Sequence, residues 1–462
     1  MAPHRDYHYC IIHIGTTTTR VQFAPISGLH ESLPSKVISI PSKVYAHPNG
    51  EPNYFASTGT TEVQFIKNGH ITNHHAFNYF VKLVYKSVVK YKFPDISNLE
   101  LVTVHLMVIT SGSLSDSFSK VQVQKSINYF YENLDHLTSI TLVSNSVCLL
   151  LAHGGNSVST ALAVDIGEEK LTITSIVDYL PVNFASVSVP IGGHSINSHL
   201  SKLLPGWTPQ QIEDLKRSDI YEILSDANKS KTNTDFEEEL DVLSVVNAPK
   251  PKEILEKRSK KKSNEKEEPK QNSELEFNTF IDSDGVEHNV GKQRFLGAEE
   301  LIDSLDFYID FCISRYPDVE RREELWSNII FNGPVTSISG FKDRVLEVLS
   351  SHHLVSSLDN DNDPESKFRA TSNVDVGLAF SQAPTSINTI KKPDYFQEWK
   401  DFSDPKGINN DLTILGAVVY IKLCFGPGSH HATLNNIGND LYMVKKEDFE
   451  ESGPNIIWDL NH

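Results

Sequence analysis

The stretch YCIIHIGTTTTRVQFAP, residues 9–25, decides the fold. It begins with an apolar run, turns at Gly15 and Thr16, and continues with alternating apolar and polar residues, which predicts two strands joined by a turn. A second unit of this kind occurs at residues 160–167, where TALAVDIG predicts a buried strand that runs into another turn. The repeated hairpin indicates an internally duplicated fold.

Three further segments predict elements around these hairpins. The run TSITLVSNSVCLLLAHGG at 138–155 predicts a helix that stops at a pair of glycines. LVTVHLMVITSG at 101–112 predicts a buried strand, because it is far shorter than a membrane-spanning helix. An amphipathic helix is predicted by the spacing of five residues that form one apolar face, Leu301, Leu305, Tyr308, Ile309 and Cys312.

Size and charge limit the possible functions. At 462 residues, of which 39% are hydrophobic, the chain exceeds one comfortable core, so at least two lobes are expected. A net charge of −18 disfavours direct binding to nucleic acid, which depends on clustered Lys and Arg. We expect no secretory or membrane-spanning segment. Widely spaced cysteines without a CxxC pair favour reduced thiols over disulfides or zinc, and they are Cys10, Cys148, Cys312 and Cys424.

A polar segment interrupts the chain between Ser225 and Glu274. It has too few apolar residues to offset the entropy of ordering, so a disordered, charged insertion is expected at 227–273. Its basic run at 257–262 predicts either a nuclear-import signal or a solvated loop, and the pattern alone favours neither. A second, acidic insertion, DNDNDPESK at 359–367, predicts an exposed loop.

Five segments resemble actin, and they follow one another in the same order as in actin. They are FIKNGHITN at 65–73, VDIGEEKLT at 164–172, DGVEHNVGKQRF at 284–295, FNGPVTSISGF at 331–341 and MVKKEDFEESGPNII at 443–457. The chain is therefore similar to the actin-related proteins. Two more segments favour the actin-related subunits of fungal SWI/SNF and RSC chromatin remodelling complexes, namely LEFNTF at 275–280 and KPDYFQEWK at 392–400.

This resemblance implies the α/β fold that actin shares with Hsp70 and the sugar kinases. Two duplicated α/β lobes would surround a central cleft and divide into four subdomains. The first lobe is predicted to comprise residues 1–152 together with 395–462. The second is predicted to comprise residues 153–394 and to carry the charged insertion.

In ATP-binding members of the family, two turns present backbone N–H groups to the phosphates. An aspartate in each turn helps to hold a hydrated divalent metal. The resemblance places His13 at the first aspartate position, so one of the two carboxylates is missing. Gly15 and Thr16 retain the turn, and Arg20 replaces the lysine that contacts phosphate.

The second turn keeps Asp165 and Gly167, but Glu168 and Glu169 stand at the family's aspartate and glycine positions. The side chain of Glu169 would crowd the phosphate and oppose its charge. A like-charge pair at ~4 Å in an effective dielectric of ~20 costs on the order of 4 kcal/mol. That corresponds to roughly three decades of affinity.

The remaining pocket positions also depart from the family pattern. Pro334 follows Gly333 where the family has a second glycine, and Ile338 replaces an adenine-flanking tyrosine. Asn145 and Thr172 stand where actin has the glutamine and histidine that position and activate water, and neither can do that work. We expect no ATP hydrolysis, weak or absent ATP binding, and no other cofactor or metal. The predicted vestigial pocket consists of Gly15, Thr16, Arg20, Asp165, Gly167 and Gly333.

An apolar groove is the second site that the resemblance implies. One wall is predicted to contain Leu151 and Gly154, and the other the stripe of Leu415, Val419, Tyr420 and Leu423. The spacing of this stripe suits the binding of a partner helix, and ordinary core is the alternative. In the resembled subunits the groove is implied to hold the helicase-SANT-associated helix of the remodeller ATPase, alongside actin-related protein 7 and a small clamping subunit.

The implied function is that of a non-catalytic, nuclear subunit of a chromatin remodelling complex, paired with a second actin-related protein. Two alternatives stay open. An active ATPase or kinase of the same superfamily would need paired metal carboxylates and a water-activating base. A structural subunit of the dynactin type would have to tolerate the insertion. The histidine pairs at 74–75 and 430–431 lack a matching acid or cysteine cluster, which predicts surface residues and no metal site.

Overall fold

The computed structural model describes eleven stretches of the chain, which are residues 6–25, 37–47, 52–67, 70–94, 102–110, 119–154, 158–226, 271–354, 384–390, 412–425 and 442–458. The chain divides into two compact units. The larger unit comprises Met1–Gly193, Asp306–Thr336 and His352–His462. The smaller unit comprises His194–Leu305 and Ser337–Ser351.

The described strands are short to medium in length and are numbered here in chain order. They are β1 (Asp6–Ile14), β2 (Thr18–Pro25), β3 (Ile38–Pro41), β4 (Val44–Ala46), β5 (Pro52–Asn53), β6 (Thr61–Val63), β7 (Ile66–Lys67), β8 (His70–Ile71), β9 (Val102–Thr110), β10 (Leu137–Ser144), β11 (Ala161–Ile166), β12 (Leu171–Val177), β13 (Leu180–Val189), β14 (Asn278–Ile281), β15 (Glu287–Val290), β16 (Ile329–Asn332) and β17 (Tyr442–Lys445).

The described α-helices are numbered in the same way. They are α1 (His74–Lys92), α2 (Lys120–Asn133), α3 (Asn145–Gly154), α4 (Gly193–Leu203), α5 (Pro209–Arg217), α6 (Glu299–Ser314), α7 (Val319–Ser327), α8 (Phe341–His353), α9 (Leu412–Phe425) and α10 (Lys446–Ser452). No helix in the described part of the chain combines the length and apolar character that crossing a membrane requires.

Two sheets of the larger unit repeat one topology, which confirms the predicted duplication. The first has the order β17-β10-β9-β1-β2-β3, and the second has the order β13-β12-β11-β16. In each sheet an antiparallel hairpin, β1–β2 or β11–β12, pairs on its other side with a parallel strand, β9 or β16. A third strand, β3 or β13, continues the antiparallel order beyond the hairpin.

The prediction of one helix over 138–155 is wrong in its first half. Residues Leu137–Ser144 form β10, and α3 begins only at Asn145. The β-branched residues of this segment favour a strand, and β10 pairs with β9 on one side and with β17 on the other. The buried strand at 101–112 is confirmed as β9. The amphipathic helix is confirmed as α6, in which Leu301, Leu305, Ile309 and Cys312 are fully buried.

Helices α3 and α9 cross within the core that both sheets share. This core combines side chains of β1, β9, β10 and β11 with those of the two helices. At the crossing, a Cβ added to Gly416 would lie 1.6 Å from the carbonyl oxygen of Cys148, so the backbones touch and only glycine fits. The two compact units have other boundaries than the lobes predicted at 1–152 with 395–462 and at 153–394, and the division into these lobes stays a prediction.

The described cysteines are buried free thiols, as expected. Cys10 lies in β1, Cys148 in α3 and Cys312 in α6. Burial raises the pKa of the Cys10 thiol to about 12, and burial likewise raises the pKa of Cys312 to about 12. Such thiols are protonated near neutral pH and therefore poor nucleophiles.

The charged insertion begins and ends in the smaller unit. Residues 227–270 and the basic run within them lie outside the described residues, as do the predicted loop at 359–367 and the segment at 392–400. The expectation of disorder is wrong for residues 271–273. Asn272 starts a short 3-10 helix. Its side-chain Nδ2 donates to the Ile220 carbonyl oxygen at 2.9 Å and to Glu222 Oε2 at 3.1 Å.

Arg294 binds the segment around Asn272, which follows the charged insertion, through a buried side chain. Its side chain is fully buried, and its Nε donates to Asn272 Oδ1 at 2.9 Å. Its two terminal nitrogens donate to main-chain carbonyl oxygens, which are those of Asn272 at 2.7 Å, Gly291 at 2.7 Å, Val290 at 3.2 Å and Leu275. The guanidinium thus connects the backbone of the short 3-10 helix with the end of β15.

Replacing Arg294 with Met should destabilise the protein by on the order of 3 kcal/mol, because several buried carbonyl groups lose their donor at once. Urea unfolding followed by fluorescence measures the change. The matched control is Arg217→Met, whose side chain is 75% exposed and pairs with Glu213 on the surface of α5. That control should stay within about 0.5 kcal/mol of wild type. Equal losses in both variants would contradict the anchoring role of Arg294.

Candidate functional site

The first turn of the duplicated hairpins joins β1 to β2. The backbone N–H of Gly15 donates to the Thr18 carbonyl oxygen at 3.1 Å and closes the turn. A Cβ at Gly15 would approach that oxygen to 2.7 Å, which explains why glycine stands here. His13 and Arg20 face each other across the hairpin, and both are half-buried.

The second turn repeats this geometry between β11 and β12. The backbone N–H of Gly167 donates to the Lys170 carbonyl oxygen at 2.8 Å, again to the third residue along the chain. The start of α4 supports the turn, because the N–H of Gly193 donates to the Gly167 carbonyl oxygen at 3.0 Å. A Cβ at Gly192 would lie 2.4 Å from the same oxygen. The turn is therefore packed tightly against the chain that follows β13.

Gly333 provides a third contact to the second sheet. It follows β16 with a φ of 107°, a region that side-chain-bearing residues rarely adopt. A Cβ at this position would lie 2.0 Å from the carbonyl oxygen of Ile166 in β11. Pro334 then begins a 3-10 helix, and Thr336 donates from its hydroxyl to the Gly333 carbonyl oxygen at 2.8 Å. Glycine is thus required both by φ and by the approach of two backbones.

Asp165 lies where three elements meet. It belongs to β11, and its cross-strand neighbours are Thr172 in β12 and Asn332 in β16. The amide nitrogen of Asn145 donates to Asp165 Oδ2 at 2.7 Å. The amide nitrogen of Asn332 donates to Asp165 Oδ1 at 2.6 Å. Both oxygens of the carboxylate therefore accept charge-assisted hydrogen bonds from side-chain amides.

The polar atoms around this carboxylate are deeply buried. Asn145 is 1% exposed, Asn332 5% and Thr172 3%. The amide oxygens of both asparagines and the hydroxyl of Thr172 have no hydrogen-bond partner among the described residues. A threonine hydroxyl cannot accept a proton near neutral pH, and an amide cannot either. The three side chains can thus orient polar groups, but they supply no general base.

The structure brings three of the six predicted pocket residues together, and the pocket as a whole stays a prediction. Asp165, Gly167 and Gly333 meet around β11, and Asn145 joins them. Gly15, Thr16 and Arg20 belong to the hairpin of the first sheet. Asn332 was missed by sequence reasoning. Its only signal is an asparagine at the end of a buried strand, immediately before Gly333.

The predicted groove residues are mostly core. Leu151 is fully buried, Leu415 is 3% exposed and Tyr420 1% exposed, and all three pack in the shared core. The expectation that Leu151 on one wall and Leu415 and Tyr420 on the other line an open groove is therefore corrected, since all three are core residues. Helix α9 is apolar on all sides, so its spacing did not show which residues face outward. Val419 and Leu423 are only partly buried. Gly154 is the last residue of α3.

Metal-ligating side chains do not converge in the described part of the chain: no group of three or more His, Cys, Asp or Glu residues there has the geometry to hold a metal ion. Of the histidine pairs, His75 is exposed, and His74 is half-buried with a pKa lowered chiefly by burial. The pair at 430–431 lies outside the described residues.

The duplicated sheets and the paired glycine turns agree with an actin-like fold. The chain belongs to the actin family, because residues 5–371 match Actin. Within this family, the chain is similar to the SWI/SNF and RSC complexes subunit arp9 of Schizosaccharomyces pombe. The two are 25% identical over 448 residues, which cover 86% of this chain and 78% of that protein.

Changing Gly333 to Ala should destabilise the protein by about 3 kcal/mol or more, because positive φ and steric overlap with Ile166 add together. The matched control is Gly206→Ala, which has a φ of 92° but open space around the added Cβ. The free energy of unfolding of this control should fall by only about 1–2 kcal/mol, because the positive φ alone opposes the added Cβ. Chemical denaturation of both variants separates the two contributions. Equal losses would show that the contact with Ile166 contributes nothing.

Proposed function

We propose that this chain is a non-catalytic actin-related subunit of an ATP-dependent chromatin remodelling complex. The observation that carries the proposal is the similarity to a SWI/SNF and RSC subunit along 86% of the chain. A match of this extent is too long to reflect one shared motif. A nuclear location follows from this role.

The residues of the candidate site support a role without catalysis. Hydrolysis of a γ-phosphate needs a group that positions and activates water. Asn145 instead donates to Asp165, and Thr172 offers only a hydroxyl at the cross-strand position. His13 stands at the other turn, where ATP-binding members have a carboxylate. ATP hydrolysis is therefore not expected, and binding of Mg-ATP is expected to be weak or absent.

Assembly is expected to depend on protein contacts and not on nucleic acid. The net charge of −18 opposes direct binding to a phosphate backbone. The proposed partners are the helicase-SANT-associated helix of the remodeller ATPase, actin-related protein 7 as the second subunit of a heterodimer, and a small clamping subunit. For the helix we propose the outer side of α9. Val419 and Leu423 lie four residues apart there, on one face of the helix, and are partly buried.

Titration of Mg-ATP into the purified protein should give no binding with a Kd of about 1 μM or tighter, because the residues at positions 13, 145 and 172 lack the required groups. Isothermal calorimetry measures binding, and a coupled assay measures phosphate release. Asp165→Ala is the control for release, since contaminating activity is unaffected by it. A micromolar Kd, or release that Asp165→Ala abolishes, would contradict this part of the proposal.

Val419→Asp and Leu423→Asp should each weaken binding of the helicase-SANT-associated helix by about tenfold or more, because a charge replaces an apolar contact. Co-purification with a recombinant ATPase segment, followed by a titration, measures the loss. Circular dichroism should show that both variants remain folded.

Tyr91→Asp is the matched control for these variants. Tyr91 is 84% exposed on α1, so it offers an apolar surface residue of comparable chemistry elsewhere in the larger unit. Binding should be unchanged in this variant. Unaltered binding by Val419→Asp and Leu423→Asp would exclude the outer side of α9. Failure of the wild-type chain to bind any remodeller segment, with recovery in a dynactin-type complex, would favour the structural alternative.

A further inference from the structure

The carboxylate of Asp165 is held from two sides by amide groups of the same chain. Asn145 Nδ2 lies 2.7 Å from one oxygen, and Asn332 Nδ2 lies 2.6 Å from the other. These distances are at the short end of the range for N–H donors to an anion. An amide donates through its nitrogen only, so both amides turn their partially positive hydrogens towards the carboxylate.

This arrangement does not fit the metal that the fold family implies. A hydrated divalent cation needs the lone pairs of a carboxylate and a surrounding shell of oxygens. Here each carboxylate oxygen already accepts an amide N–H, so two partially positive hydrogens face the carboxylate and oppose a cation at the same oxygens. The amide oxygens of Asn145 and Asn332 have no donor among the described residues. Burying two amides with unpaired oxygens is costly, which indicates that their nitrogens serve the carboxylate.

The three residues come from elements that are distant in sequence. Asn145 is the first residue of α3 and directly follows β10 of the first sheet. Asp165 lies near the end of β11, and Asn332 is the last residue of β16, its register partner in the second sheet. The hydrogen bonds therefore tie the end of the first sheet to two strands of the second sheet.

We propose that Asn145, Asp165 and Asn332 form an internal amide clamp that takes over the cohesive role of a bound metal nucleotide in this chain. Asn332 is a positioning residue of the clamp: it carries no charge, but from β16 it holds the carboxylate of Asp165 on the neighbouring strand β11. The clamp makes the larger unit stable without a ligand. This inference rests on the non-catalytic part of the proposed function.

A double-mutant cycle tests the clamp. Asp165→Ala and Asn332→Ala should each lower the Tm by several degrees. The double variant should melt within about 1 °C of the less stable single variant, because Asn332 contributes little once the carboxylate is gone. Additive losses would overturn the proposal. If the alanine variants do not fold, Asp165→Asn and Asn332→Ser give the same cycle with smaller changes, read by urea unfolding.

The control cycle combines Asp165→Ala with Asn328→Ala. Asn328 is also an asparagine beside β16, and its amide donates to the Thr160 carbonyl oxygen at 3.1 Å. Asn328 lies four residues from Asn332. The free energy of unfolding lost in Asn328→Ala and in Asp165→Ala should therefore add in the double variant within about 0.5 kcal/mol. Coupling of equal size in both cycles would overturn the clamp, because it would reflect a general loosening of β16.

A metal titration tests whether the clamp replaces a bound metal, which the mutant cycles do not measure. Its readout is the change in Tm on adding Mg²⁺. Millimolar MgCl2, alone or with ATP, should leave the wild-type Tm unchanged within about 1 °C, because both oxygens of the carboxylate already accept an amide N–H and face its partially positive hydrogen. A rise of several degrees would overturn the clamp. The subunit role is judged separately by co-purification with the remodeller segment, so a failed clamp with retained co-purification leaves that role standing.

Discussion

The contact between α3 and α9 at Gly416 is the constraint on which much of the larger unit depends. Because the backbones touch at Cys148, the two helices can share one core with β1, β9, β10 and β11. The position of α3 in turn fixes Asn145, its first residue, and therefore one arm of the contact with Asp165. A glycine that lines no site thus determines the geometry of the site.

The duplicated hairpins could be predicted because their information is local. Alternating residues and a glycine turn specify a strand pair wherever they occur, and β1–β2 and β11–β12 follow that pattern. The segment at 138–155 shows the limit of such reasoning. Its apolar residues suit a helix or a buried strand equally, and the choice at Leu137–Ser144 is made by β9 and β17, which are distant in sequence.

Some residues of the candidate site could also be predicted from local sequence, and others could not. Gly15, Gly167 and Gly333 could be predicted because turns and close backbone contacts require glycine there. Asn332 could not, since its importance arises from its register beside Asp165, which one sequence does not reveal. The burial of Tyr420 could not be predicted either, because the sequence of a helix that is apolar on all sides does not indicate which side faces outward.

The three buried thiols among the described residues can report on local opening in three regions of the larger unit. Cys10 and Cys312, whose pKa burial raises to about 12, and the fully buried Cys148 should react with an alkylating reagent only when the surrounding structure opens and exposes them. Cys10 samples the centre of the first sheet, Cys148 the crossing of α3 and α9, and Cys312 the helix α6 beside Ile173 of the second sheet. Differences among their alkylation rates would therefore rank the order in which sheet, crossing and helix fluctuate in the native state.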